Sequence, residues 1–255
     1  MKALPERLAA LIWPRRCPFC DRLLPPDAHD GCICPACLAE AKRLSHEPPR
    51  LPATEHAFYA VSGAASAFYY SDAVRHAILR CKGYGHPWYA RELADLMAVQ
   101  IFGAEPALHP ADRPSYSAPG GLTPYTLIVP VPPRRWGSGK LPYWLARRLS
   151  RILRVPMACP LHTTRKMEPQ KNLDLSARMQ NTKNAYACRP GTDLSGARIL
   201  LVDDIITTGA TVSACALALL QGGAASVFAV SVAAKEDLPP EKRLPPKQAQ
   251  EKQNK

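Results

Sequence analysis

"LVDDIITTGATVSA", residues 201–214, opens on the end of an apolar run, sets two aspartates side by side, and continues into a turn rich in hydroxyls. Counted from Ala197 to Ile205, the run reads as a buried strand whose carboxyl end carries Asp203 and Asp204. Thr207, Thr208, Gly209, Ala210 and Thr211 follow as a tight turn whose backbone N–H groups can converge on an anion, with Gly209 allowing close approach. An apolar helix starts at about Thr211, and its N-terminus favours a phosphate. Carboxylates beside a phosphate are repulsive unless they meet hydroxyls or a divalent cation. A ribose 5-phosphate carries a phosphate at one end and vicinal hydroxyls at the other, so it suits both halves of the stretch. Paired aspartates also end the phosphoacceptor strand of receiver domains, but there they come early in the domain. Here they lie in the final third and lead into TTGAT.

The neighbouring segments make this stretch part of an α/β domain. Residues 226–234, SVFAVSVAA, read as another strand, so 197–234 is a strand, loop, helix and strand. Near-continuous apolar runs suit parallel strands covered on both faces, and ligands of open α/β sheets bind at the carboxyl ends of the strands. Residues 125–133 read as a buried strand ending in prolines, and 56–72 as one or two strands around a glycine turn. Helices are expected at 72–82, 88–102 and 141–153, the last with a basic face. Residues 103–124 read as an irregular insertion, 155–161 as a short strand, and 162–185 as polar and without pattern. No G-x-x-x-x-G-K-[ST] or G-x-G-x-x-G signature is present, which argues against a P-loop or a dinucleotide site.

Five of the nine cysteines crowd into the first 37 residues. CPFC supplies Cys17 and Cys20, CPAC supplies Cys34 and Cys37, and 13 residues separate the two pairs. Four thiolates from two such knuckles can surround one Zn²⁺ tetrahedrally, leaving no open position, so the expected role is structural. A segment this short has little core of its own, and a metal supplies folding free energy that burial cannot. An iron–sulfur cluster or free buried thiols are the alternatives, and Cys32 could replace Cys34 at a less usual spacing. The division expected is a four-cysteine module over 1–45, a linker over 47–52, a main domain over 53–235, and a disordered basic tail over 236–255.

Lys and Arg number 33 against 21 Asp and Glu, a net charge of +12 that favours anionic partners: phosphates, nucleotides or nucleic acid. The basic flanks of the cysteine module, with Trp13 and Phe19, also permit contact with single-stranded DNA. No apolar run reaches the roughly 18 residues of a membrane span, and no signal peptide is read at the start, so no membrane insertion and a cytoplasmic location are expected.

ILLVDDIITTGAT, residues 199–211, resembles the phosphoribosyl-diphosphate (PRPP) motif of type I phosphoribosyltransferases; joined to the four-cysteine module, the chain resembles the ComF/GntX family over about residues 14–235. The resemblance implies an open, mostly parallel sheet with flanking helices, PRPP with Mg²⁺ as ligand, transfer of a phosphoribosyl group to an unidentified acceptor, and a link to competence and DNA-uptake proteins. A non-catalytic PRPP- or DNA-binding accessory of uptake is the second class. It implies that Asp203 and Asp204 hold the ribose hydroxyls, partly through Mg²⁺, and that Thr207 to Thr211 hold the 5-phosphate. VPVPPRR, 129–135, matches the segment that receives pyrophosphate, which points to Val131, Pro132, Pro133, Arg134 and Arg135. Residues 165–187 match the loop that covers the site, with Gln170, Leu173, Arg178, Asn181 or Asn184, and Tyr186 as the matching positions; Arg165, in the same loop, is a candidate for diphosphate contact. Lys82, in CKGYG, is a further candidate for diphosphate contact. Where family members carry Arg-Gly-Phe-Asn-Gln, this chain has GSGKL at 137–141, which bears on the acceptor end.

Overall fold

The apolar run ahead of Asp203 forms a central strand. The computed structural model describes residues 16–24, 33–52, 56, 58–83, 87–107, 115–117, 124–133, 140–164, 185–237 and 239–242. Among the described residues, five α-helices run Pro35–Leu44 (α1), Asp72–Gly83 (α2), Pro87–Phe102 (α3), Leu141–Leu153 (α4) and Ala210–Gln221 (α5). The strands are Gly63–Tyr69 (β1), Glu105–Ala107 (β2), Ser115–Ser117 (β3), Leu127–Pro130 (β4), Leu161–Thr163 (β5), Tyr186–Cys188 (β6), Arg198–Ile206 (β7) and Ser226–Ala234 (β8).

β1, β8, β7 and β4 lie in that order in one sheet, and every pair is parallel. Strand alternation divides the side chains of β7 between two cores. Leu200 and Val202 join Val230, Ile78, Met97, Leu145 and Leu149, under helices α2, α3 and α4. Ile199 and Leu201 join Val129, Val212, Ala216 and Leu219, under α5 and the small β5–β6 sheet. Each of these β7 residues is fully buried, contributing roughly 2 kcal/mol per side chain. A strand buried on both faces needs the unbroken apolar sequence that 199–202 provides. Once that demand ends, at the sheet's carboxyl edge, the chain can place charges.

The two edges of the sheet are covered by segments whose sequence gave little sign of it. The stretch 47–52, expected as a linker, runs along β1: Ser45 and Arg50 bridge Phe68 and Ala65, and the Leu51 N–H donates to the Ala64 carbonyl at 2.9 Å. At β4 the expected strand over 155–161 reduces to a bridge between Met157 and Ile128, and the strand proper begins at Leu161. Each occupies backbone groups that an open edge would leave unpaired. Within the expected irregular insertion, β2 and β3 pair antiparallel.

The start of the tail also returns to the body of the protein. Glu236 is buried between two histidines, with its Oε2 at 2.7 Å from His46 Nε2 and its Oε1 at 3.6 Å from His56 Nδ1. His46 Nδ1 faces the Pro48 carbonyl at 2.8 Å, so that nitrogen must be the donor, and one proton is then shared between His46 Nε2 and Glu236. Lys242 donates to the Ser45 carbonyl, and the Arg43 guanidinium donates to the Lys242 carbonyl at 2.5 Å. Glu236 and Lys242 are therefore anchored against the end of α1 and the residues that follow it.

Between α3 and α4, Arg148 Nε donates to Asp95 Oδ1 at 2.5 Å, with the carboxylate side chain only 2% exposed. Burial pushes the Asp95 carboxyl up to about 6 despite the guanidinium beside it. With the folded value above the unfolded one, the native state binds the extra proton between about pH 6 and about pH 4, so stability from this group rises as pH falls through that window. Chemical denaturation at several pH values is expected to show wild type gaining on Asp95→Asn from pH 7 down to about 4.5, by on the order of 2 kcal/mol. A flat difference would show that Arg148 keeps the carboxyl ionised throughout.

Candidate functional site

β7 ends on Asp203, Asp204, Ile205 and Ile206, and the turn 207–209 delivers the chain into α5. Asp203 lies in register with Ser231 of β8, and its Oδ1 accepts the Asp204 N–H at 2.8 Å. Alternation sends Asp204 toward the face covered by α2. There its Oδ2 meets the Lys82 ammonium at 2.6 Å. On the other side of β7, the Val131 N–H donates to the Val202 carbonyl at 2.9 Å, which sets Val131, Pro132 and Pro133 at the same edge as the acidic pair. The structure thus brings together Asp203, Asp204, the turn Thr207–Thr211, and the first half of the segment at 129–135. Arg134 and Arg135 lie outside the described residues, as do Arg165, Gln170, Arg178, Asn181, Asn184 and Cys32.

The turn enters the helix through a left-handed glycine. Gly209 caps α5 with φ at 79°, the left-handed region, and the helix starts at the next residue. Thr207 and Thr208 are exposed while Gly209 is buried. The cause of that burial was not legible in the sequence: the Phe58 ring lies against Gly209, so that a Cβ there would stand 2.6 Å from the ring. Phe58 is itself stacked on His56 at 4.9 Å, and the Tyr59 N–H donates to Ser213 Oγ on α5 at 3.3 Å. The segment 56–59 therefore braces the turn and the start of α5. Its aromatic content signalled a strand, and no local pattern connects it to a turn some 150 residues later.

A hard divalent cation fits the donor set at this edge, which offers carboxylate oxygens and already attracts an ammonium. The N-terminal cysteines offer a different chemistry. The Sγ atoms of Cys17, Cys20, Cys34 and Cys37 all lie within 4.8 Å of one another, with Cys20 and Cys34 at 3.5 Å. Tetrahedral Zn–S bonds of ~2.3 Å require sulfur–sulfur edges of ~3.8 Å, so the cluster fits such an ion. Burial pushes the Cys17 and Cys37 thiols up. At Cys20 burial acts the same way but is outweighed by the Arg22 N–H and the neighbouring thiols, which pull it down. Backbone bonds shape both knuckles: the Cys17 N–H reaches the Arg22 carbonyl at 2.8 Å, the Cys37 N–H reaches the Cys34 carbonyl at 2.9 Å, and Asp21 takes a left-handed φ of 65°.

Residues 143–255 match the phosphoribosyl transferase domain family. No curated protein matches the chain. Among solved structures, the glutamine phosphoribosylpyrophosphate (PRPP) amidotransferase from B. subtilis, complexed with ADP and GMP, is 19% identical over 55% of this chain and 26% of that one, with a TM-score of 0.34. The structure of the allosteric regulatory enzyme of purine biosynthesis is 20% identical over 55% of this chain and 25% of that one, with a TM-score of 0.33. The matched part of this chain spans about a quarter of each of these proteins. β7, its acidic end and the turn that follows thus lie within the residues that match this family.

Proposed function

We propose that the protein binds PRPP at the carboxyl edge of the sheet and transfers its phosphoribosyl group to a nitrogenous acceptor, releasing pyrophosphate. The observation that carries this reading is the continuity of the acidic pair with the αL turn and helix N-terminus: carboxylates for the ribose hydroxyls stand one turn from a nest for the 5-phosphate. The segment from Val131 lies beside them, where the diphosphate on the anomeric carbon would fall. In this reaction the acceptor nitrogen bonds to the anomeric carbon as the bond to pyrophosphate breaks, so negative charge grows on the leaving group. The backbone N–H and guanidinium groups of Arg134 and Arg135 would meet that charge, since Pro132 and Pro133 have no N–H to offer and that of Val131 is given to Val202. Mg²⁺, when bound through Asp203 and Asp204, neutralises the diphosphate. In this reading the four cysteines hold a structural Zn²⁺, and their combination with a phosphoribosyl-transferase-like segment supports kinship with the ComF/GntX family.

Calorimetry of wild type and the Asp203→Asn/Asp204→Asn double variant with PRPP and Mg²⁺ tests the reading. Losing charge-assisted bonds of roughly 1.5–3 kcal/mol each should weaken binding by about 100-fold or more, with the melting temperature little changed. Equal affinity in the two proteins would remove the acidic pair from the site. The net charge of +12 supports a second reading, an accessory protein of DNA uptake that binds PRPP or single-stranded DNA without turnover. Pyrophosphate release measured against a panel of bases, amines and oligonucleotides separates them, since PRPP binding with no release on any acceptor assigns the second.

A further inference from the structure

We propose that Lys82 is the resident counter-ion of the acidic pair, and that it makes binding of a divalent cation at Asp204 depend on an arriving diphosphate. The contact with Asp204 is direct; its use rests on the PRPP reading. Lys82 Nζ stands 2.6 Å from Asp204 Oδ2, with the Asp204 side chain 13% exposed and that of Lys82 37% exposed. Two adjacent carboxylates at a half-buried strand end repel each other, and the ammonium offsets that repulsion while the site is empty of ligand.

The lysine is aimed there by its neighbours. It sits on the last turn of α2. Arg80 on the same turn donates to the Pro18 and Phe19 carbonyls of the cysteine module, at 3.2 and 2.7 Å. Cys81 is buried in the core beneath α2, α3 and α4. With Arg80 and Cys81 both committed, the helix end is fixed and Lys82 is directed to the sheet edge. Its head group remains movable, because an ammonium on a four-carbon stem is a point charge without the fixed fork of a guanidinium.

A divalent cation taking Asp204 competes with this ammonium, since two cations on one carboxylate repel each other. A cation arriving alone leaves the lysine without a partner and binds weakly. A cation arriving with a diphosphate brings anionic oxygens that accept the released ammonium. Cation and anion then bind with positive coupling, and Lys82 is its source. In this role Lys82 is a positioning residue for the cation through Asp204, and a contact for the diphosphate only once the cation is in place.

The test uses the full zinc-loaded chain and Mn²⁺, followed by paramagnetic resonance. Lys82→Gln is expected to bind Mn²⁺ alone about tenfold more tightly than wild type. The gain should vanish in Lys82→Gln/Asp204→Asn, and Lys82→Arg, which keeps the charge, should stay near wild type. With PRPP added, the coupling between Mn²⁺ and PRPP should shrink by about tenfold in Lys82→Gln. Equal Mn²⁺ affinity in Lys82→Gln and wild type would overturn the proposal, as would a gain that survives removal of Asp204. If no variant binds PRPP while the Mn²⁺ effect persists, the counter-ion role stands and the PRPP reading fails.

Discussion

Cys34→Ser is expected to release the metal of the four-cysteine cluster and to destabilise the whole chain, not its first 45 residues alone. Cys17 and Cys34 are buried, and they share one core with Phe68 of β1, Ile78 of α2 and Leu93 of α3. Phe19, between the first two cysteines, meets Phe68 edge to face at 5.7 Å. The Tyr89 hydroxyl of α3 donates to Asp21 Oδ1 at 2.7 Å, and Arg80 of α2 holds two carbonyls of the same knuckle. A released knuckle would uncover part of the core beneath α2 and α3. Structural zinc supplies roughly 10–16 kcal/mol to small folded peptides, and loss of a metal belongs to the few substitutions that cost more than about 4 kcal/mol. Zinc quantitation combined with thermal unfolding checks the expectation. Cys159→Ser, at an exposed thiol outside the cluster, should change neither quantity. Stoichiometric zinc and an unchanged melting temperature in Cys34→Ser would show that a different ligand set holds the ion.

Gly209→Ala is expected to cost the protein most of its phosphate affinity through two separable effects. A φ of 79° costs an alanine roughly 1–2 kcal/mol, because Cβ crowds the following carbonyl. The new methyl would also stand 2.6 Å from the Phe58 ring, which the His56 stack discourages from moving away. Relief then falls on the turn itself, and the N–H groups proposed to hold the 5-phosphate lose their alignment. PRPP binding should weaken by more than tenfold, and the melting temperature should drop. In a Phe58→Ala background the steric part disappears, so the further loss on adding Gly209→Ala should shrink to the backbone cost of about 1–2 kcal/mol. An unchanged PRPP affinity in the single variant would mean that the turn does not hold the phosphate.

The site and its fold were unequally legible in the sequence. Strand β7, helix α5 and strand β8 follow directly from long apolar runs bounded by glycine, and both cysteine knuckles follow from their spacing. The acidic pair is readable as chemistry because a doubly buried strand tolerates charge only where burial ends. Phe58 against Gly209 was hidden, since that contact depends on how β1 docks against β8 and on nothing in either local sequence. Strands β2, β3, β5 and β6 are three residues each, too short to show a period. The linker at 47–52 and the first residues of the tail are rich in proline and charge, as loops are. Their order comes from pairing along β1 and from the His46, Glu236 and His56 cluster, all of it long-range.

That cluster sets the timetable of folding on the ribosome. The bonds from Glu236 to His46 and from Lys242 to Ser45 and Arg43 span 190, 197 and 199 residues. Such contacts form late, because the chain entropy between their ends must first be overcome. The cysteine knuckles emerge before the sheet and can bind metal early, yet the surface at the end of α1 is completed only when Glu236 and Lys242 have left the exit tunnel. A nascent chain arrested before residue 236 should therefore be metal-loaded but protease-sensitive at 45–52, and a chain extended past Lys242 should close that window.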